Sequence, residues 1–267
     1  MSEIKKSINR ISNLEELTYR DTVIHRLPPV IKLLMTVIFL VTVISFGSEQ
    51  VSGLFPFLLY PVLLMTVAEI PMRPLLTRLL IALPFTLFAG LSNMFFSKEA
   101  AMMLGGIIIT KGMLVFVSIL IKTILSVMSV LILVSTTSMN DLLYAMLYLH
   151  IPTIIVLQIM MTFRYLSVLA GEISVMYHAY ILRAPREKGI KLIDMGPFLG
   201  QLIIRSFDRA DRIYHAMKCR GFEGGVIFSE HKKVRTTHWL GLMIVSVVLL
   251  ILRFVNLSEL IGQLVIG

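Results

Sequence analysis

Apolar runs close to bilayer-crossing length recur along this chain, separated by short clusters of charge, proline and glycine, so the membrane span is the unit of its organisation. The pattern predicts five spans, at about Val30–Phe46, Gly53–Ile70, Leu79–Phe96, Met102–Val134 and Trp239–Leu252. Pro56 and Pro61 are expected to bend the second span without ending it, as bilayer helices tolerate. Gly47-Ser48-Glu49-Gln50 reads as a tight polar turn, and Pro71, Arg73, Pro74 and Arg78 as a basic, proline-broken loop. The stretch 102–134 carries Lys111 and Lys122 and fits one long tilted helix or two short ones. Charge decides: a single helix puts the basic N-terminal arm, the Arg73/Arg78 loop and residues 135–236 on one side, as the positive-inside bias requires. Lys122 then lies within the membrane zone, facing the protein interior or snorkelling. Trp239 is placed as an interfacial anchor, with the N-terminus inside and the C-terminus outside.

Residues 135–236 break the simple pattern. Ser138 or Asn140 can cap a short helix running to Tyr148, and His150-Ile151-Pro152 should break it. A helix from Pro152 to about Ala184 follows, apolar over Thr153–Met161 and then gaining Arg164, Glu172, His178 and Arg183. Pro185 and Gly189 interrupt it. A further helix fits Gly196–Arg220, with Leu199, Leu202, Ile203, Ser206, Ala210, Ile213, Tyr214 and Met217 on one stripe. Arg205, Asp208, Arg209, Asp211, Arg212 and Lys218 occupy the rest, and Asp208 with Arg212 is expected to pair at i,i+4. Two helices thus end alike, at Leu182-Arg183-Ala184 and Cys219-Arg220-Gly221, each followed by a breaker. An arginine held at such a tip suits docking on another protein, because its planar fork binds a carboxylate while its stem packs on apolar surface.

The expected architecture is an all-α integral membrane protein of about five transmembrane helices with a cytoplasmic helical domain inserted before the last span. Its parts are an N-terminal arm (1–29), spans one to four (30–134), the insert (135–236, partly membrane-embedded) and the last span with a short tail (237–267). Composition agrees: of 267 residues, 57% are hydrophobic and only 15% charged, which excludes a free soluble enzyme or a disordered chain. No cleavage pattern follows the first apolar run, so no signal peptide is expected. The net charge of +9 suits cytoplasmic loops facing anionic lipid. No basic cluster alternates with aromatics, so no nucleic-acid partner is expected. Cys219, the single cysteine, cannot form an internal bridge.

Catalysis and metal binding find no support in the pattern. His25, His150, His178, His215, His231 and His238 lack zinc-type spacing, and the seventeen methionines read as packing material, so no metal site is assigned. Paired carboxylates and nucleophile–base pairs are absent from the spans, and so is a G-x-x-x-x-G-K-[ST] loop. A self-contained secondary transporter would need converging midplane polar groups, for which Lys111 and Lys122 are the charged candidates, and no inverted repeat is visible.

Several ordered stretches carry a family resemblance: His25-Arg26-Leu27-Pro28-Pro29 with Lys32, Leu59-Tyr60-Pro61 with Pro71 and Arg73-Pro74, Thr136-Thr137 with Asp141-Leu142-Leu143, Phe163-Arg164-Tyr165-Leu166 with Glu172, and Arg205-Ser206 with Arg209-Ala210. The most specific is Tyr214-His215-Ala216-Met217-Lys218-Cys219-Arg220-Gly221-Phe222-Glu223-Gly224. Over nearly its whole length the chain resembles the transmembrane T component of energy-coupling factor (ECF) importers, in particular the CbiQ family of cobalt transporters. The resemblance implies a non-catalytic subunit in a prokaryotic cell membrane. Its cytoplasmic coupling helices would dock arginine-centred motifs on two ABC-type, CbiO-like ATPase subunits, which bind ATP and magnesium; this chain itself holds no cofactor. A CbiM-like capture subunit, with a small CbiN-like accessory, would supply cobalt for cobalamin biosynthesis, and the apolar start of the long helix, Thr153–Met161, would contact the capture subunit. Nickel or vitamin T components are the nearest alternatives. Arg183, Ala184, Arg186, Cys219, Arg220 and Gly221 are the implied ATPase-coupling residues, supported by Arg164, Glu172, Arg205, Asp208, Arg209 and Arg212. The second motif departs from the family's Ala-Arg-Gly at Cys219; the first departs further, so Arg183 and Arg186 both stay open as its arginine.

Overall fold

The computed structural model describes residues 22–47, 50–96, 100–104, 107–184, 189–225 and 234–254. Most of the N-terminal arm, Ser97-Lys98-Glu99, Arg186 and the C-terminal tail lie outside them. The described residues form two compact units, one within 14–145 and 231–267 and one within 146–230.

In the first unit a single turn, α1 (Val23–Arg26), leads through Pro28-Pro29 into α2 (Pro29–Ile44). Proline at the start of α2 loses nothing, because a first-turn N–H has no intrahelical partner. Span two is not one bent helix. A 3-10 helix, Ser52–Leu58, contains Pro56 and runs into α3 (Leu59–Val67), which contains Pro61. Pro56 removes a donor inside the 3-10 helix, whereas Pro61 falls in the first turn of α3, where the missing N–H has no intrahelical partner to lose. Helix α3 ends at Glu69 in the left-handed conformation (φ 52°), where Ile70 N–H reaches Met65 O and Glu69 N–H reaches Thr66 O.

Two expectations for the next segment need correction. The basic loop of Arg73, Pro74 and Arg78 is instead the first part of α4 (Met72–Phe96), because Pro74 falls in its first turn, where a missing N–H is harmless. Residues 102–110 are not helical: β1 (Ala100–Leu104) pairs antiparallel with β2 (Ile107–Thr110). Ile107-Ile108-Ile109-Thr110 is a β-branched run, and β-branched residues favour strand over helix. The single helix expected across this region is α5 (Lys111–Thr136).

Helix α5 is the hub of the first unit, packing on α2, α3, α4 and the 3-10 helix. Against α4 the approach is close: a Cβ built on Gly90 would sit 2.5 Å from Cδ2 of the Phe116 ring. Phe39, Val43, Phe46, Leu54, Phe57, Leu125 and Leu249 form the main buried cluster. Phe39 stacks on Tyr60 at 4.3 Å between ring centroids, and Phe46 meets Phe57 edge-on at 5.2 Å.

Lysines tie α2 to α5 at both ends. Lys32 of α2 donates from Nζ to Thr136 O, at the end of α5, over 2.7 Å. Lys122 of α5 donates to Phe46 O, just past the end of α2, over 2.6 Å. Arg253 joins the second tie, donating to Ser45 O at 2.8 Å with its guanidinium 4.3 Å from the Phe46 ring centroid. Lys122 therefore faces the protein, where it satisfies a carbonyl that the helix end leaves without an intrahelical donor. Arg253 belongs to the last helix, α9 (Thr236–Phe254), which carries Trp239 near its start and packs on α2.

Between α5 and the second unit, α6 (Met139–Tyr148) straddles the division. Ser138 is its cap: Oγ accepts from Asp141 N–H at 3.2 Å and donates to Asp141 Oδ2 at 2.8 Å. The break expected at His150-Ile151-Pro152 is present, with His150 at φ 62°. The second unit then consists mainly of α7 (Thr153–Arg183) and α8 (Leu192–Cys219). Helix α8 starts four residues before the expected Gly196, with Asp194 in its first turn, a position that favours an acidic side chain.

Among the described residues, four helical segments are long and apolar enough to cross a bilayer: Met72–Ser92, Lys111–Thr136, Thr153–Arg183 and Thr236–Phe254. Pro29–Ile44 and Ser52–Val67 are apolar but shorter. Apart from the short β1/β2 ladder, the protein is thus an all-α, multi-pass membrane protein. Its set of long apolar helices differs from the expected five spans because the first two runs make short helices and Thr153–Arg183 joins the set.

Candidate functional site

Helices α7 and α8 meet along matched stripes. The half-buried positions on α7 include Leu157, Met161, Tyr165, Leu169, Glu172, Met176 and Tyr180, at steps of 4, 4, 4, 3, 4 and 4. Those on α8 include Asp194, Phe198, Leu202, Ser206, Arg209, Ile213 and Met217, with the same steps. This spacing keeps one face of each helix turned to its neighbour. The two helices run antiparallel, since residues late in α7 meet residues early in α8.

Polar contacts fix the match. Arg209 donates from a terminal guanidinium nitrogen to Glu172 Oε1, an ion pair between partly buried side chains. Near the connection, Tyr180 Oη donates to Asp194 Oδ2 at 2.7 Å and accepts from Lys191 N–H at 3.4 Å. At the other end of the pair lies a cavity of about 380 Å³ whose lining includes Met160, Met161, Arg164, Tyr165, Met217 and Arg220.

The implied coupling residues occupy the helix ends. Arg183 is the last residue of α7, and Ala184 closes it with an N–H bond to Tyr180 O at 3.0 Å. Cys219 ends α8 and is exposed, and Arg220 is the residue just beyond it. Gly221 follows at φ 77°, a conformation that costs glycine little, while Phe222 N–H bonds to Met217 O and Gly221 N–H to Lys218 O. Arg220 is thus presented at a sharp turn and Arg183 at a helix terminus. Because the helices are antiparallel, the two arginines lie at opposite ends of the pair. Arg220 stands level with about Met161, so the tips are separated by roughly 30 Å along the axis at 1.5 Å per residue.

Of the supporting residues, Glu172 and Arg209 come together, and Arg164 shares the cavity with Arg220. Arg205, Asp208 and Arg212 are exposed on α8. The i,i+4 pair expected between Asp208 and Arg212 is not formed among the described residues, because both side chains have water on that face and nothing to hold them together. Arg186 lies outside the described residues. The expected apolar stripe needs a shift: Leu199, Ile203, Ala210 and Tyr214 are exposed, whereas Phe198 and Arg209 face the neighbouring helix. The sequence signal for Arg209 was its place between Ser206 and Ile213 at the same three- and four-residue steps. Sequence reasoning did not single out Tyr180 or Asp194. Among the described residues, no three His, Cys, Asp or Glu side chains are grouped to hold a metal ion.

Comparison with known proteins agrees with this architecture. The CbiQ family, described as "Cobalt transport protein", matches residues 20–234. The chain is 32% identical over 106 residues to the nickel permease LarQ of Lactiplantibacillus plantarum, a match covering 39% of this chain and 37% of that relative. It is 23% identical over 266 residues to the uncharacterized protein MJ1571 of Methanocaldococcus jannaschii, covering 94% of this chain and 90% of the relative. Matched over most of its length, and built of apolar helices that reach across a bilayer, the chain belongs to the CbiQ cobalt transport family as a membrane-embedded component of a transporter.

Proposed function

We propose that this chain is the energy-coupling T component of an ECF importer in a prokaryotic cell membrane, with the unit 146–230 on the cytoplasmic side. The observation that carries the reading is the placement of Arg183 and Arg220 at opposite ends of one antiparallel helix pair. Two separated cationic tips suit two copies of a motor subunit better than one ligand. The partners are two CbiO-like ATPases that bind ATP and magnesium, a CbiM-like capture subunit and a CbiN-like accessory. Coupling requires only that the open and closed ATPase dimers bind the tips with different free energies. Net charge over residues 172–236, twelve Lys+Arg against seven Asp+Glu, supports the cytoplasmic placement.

Cobalt is the solute favoured by the family description, and cobalamin biosynthesis is the use that the resemblance implies for it. The resemblance to a nickel permease favours nickel as the second reading. Uptake of radioactive cobalt and nickel by cells expressing the complete complex separates them. For the coupling role, Arg220→Glu is expected to abolish co-purification of the ATPase subunits. Arg183→Ala with Arg220→Ala is expected to abolish uptake at matched membrane abundance, and normal uptake by that double variant would contradict the reading.

A further inference from the structure

We propose that the Glu172–Arg209 ion pair is the pivot of the α7/α8 pair, which makes both residues positioning residues for the two arginine tips; the proposal rests on the function assigned to those tips above. The spacing is symmetrical. Glu172 precedes Arg183 by eleven residues, and Arg209 precedes Arg220 by eleven. Eleven residues make about three helical turns, or roughly 16 Å. Each tip therefore stands at the end of an arm of equal length, measured from the one ion pair recorded among the described residues.

Little else fixes the register of the two helices. No residue of α8 is buried, and Val156 is the buried residue of α7, so apolar packing resists a slip only weakly. The contacts also differ on the two sides of the ion pair. Toward the connection, Tyr180 reaches Asp194 with its hydroxyl, whereas toward Arg220 the helices leave the 380 Å³ cavity. Glu172 Oε2 and Arg209 Nε are both screened from solvent and hold no other partner. The contact is therefore a single one and not the bidentate fork in which an arginine constrains angle as well as distance, so the crossing angle of the helices is left free. A pair that resists slip but permits rotation about one point lets motion imposed on one tip reach the other.

The native Cys219 provides a probe at one tip. Spin labels on Cys219 and on Ala184→Cys, in the full chain in lipid nanodiscs, are expected to give one narrow distance distribution. Glu172→Gln should broaden it, as should Arg209→Gln, and the swap Glu172→Arg with Arg209→Glu should narrow it again. An unchanged distribution in both single variants overturns the proposal, as does a swapped protein that inserts normally yet stays broad. In the complete complex, solute moved per ATP hydrolysed is expected to fall about tenfold in Glu172→Gln, within the range of ordinary coupling free energies, and to recover in the swap. The nanodisc measurement needs no ATPase. A chain that shows these distance changes but binds no ATPase refutes the functional reading and leaves the pivot standing; one that binds ATPase with distances indifferent to the ion pair refutes the pivot alone.

Discussion

Phe39, Val43, Leu54, Phe57 and Leu125 of the first unit expose no surface at all, while α8 of the second unit contains no buried residue and exposes 70% of Phe207 and 89% of Leu192. Both units are rich in apolar side chains, but they use them differently. In the first, rings and branched side chains interlock around α5, and packing of this kind holds helices together where lipid gives no hydrophobic drive. In the second, two long helices touch along narrow stripes and are matched by an ion pair and a tyrosine–aspartate bond. The contrast separates a part built to keep its shape from one whose parts can change angle.

The comparison can be broken most forcefully at Gly90. Gly90→Leu must push the Phe116 ring away, so the first unit is expected to lose about 1–3 kcal/mol, the usual cost of overpacking, read as a lower unfolding temperature in detergent. An unchanged melting curve would mean that α4 and α5 are not closely packed. A loss of similar size is expected for Lys122→Met, which leaves Phe46 O without its donor: about 1.5–3 kcal/mol, the range for hydrogen bonds to charged groups, by the same measurement. Its effect should match that of Lys32→Met at the other end of the same two helices if the ties are equivalent. Smallest of all is Asp208→Asn on the exposed face of α8, expected to change stability by less than about 0.5 kcal/mol. A large effect there would show that the open face of α8 is covered in the isolated protein.

Legibility in the sequence followed the same division. Local devices were readable: the Ser138 cap, the break at His150-Ile151-Pro152, the helix running to Ala184 and the placing of Arg220 at a tip each depend on a few adjacent residues. Hydropathy alone misread residues 102–110, because an isoleucine run beside two glycines is as apolar as a helix and differs from one only in backbone preference. It also read Arg73-Pro74 as a loop, since first-turn prolines and helix-breaking prolines look alike until the helix start is known. At the candidate site the end residues were identifiable, whereas the Glu172–Arg209 contact joins positions 37 residues apart, and the sequence reading put Arg209 on the polar face of its helix. Lys122 was harder still, because its acceptor is a backbone carbonyl 76 residues away and carries no side-chain signature.

The reciprocal lysine ties have a consequence for motion. Lys32 and Phe46 are fourteen residues apart on one strut, and Lys122 and Thr136 fourteen apart on the other, so both anchors close at a single axial alignment. Displacing one strut by a helical turn, about 5.4 Å, would open both anchors together, which discourages gliding. Whatever force reaches these struts can tip them as a block, but it cannot ratchet one along the other.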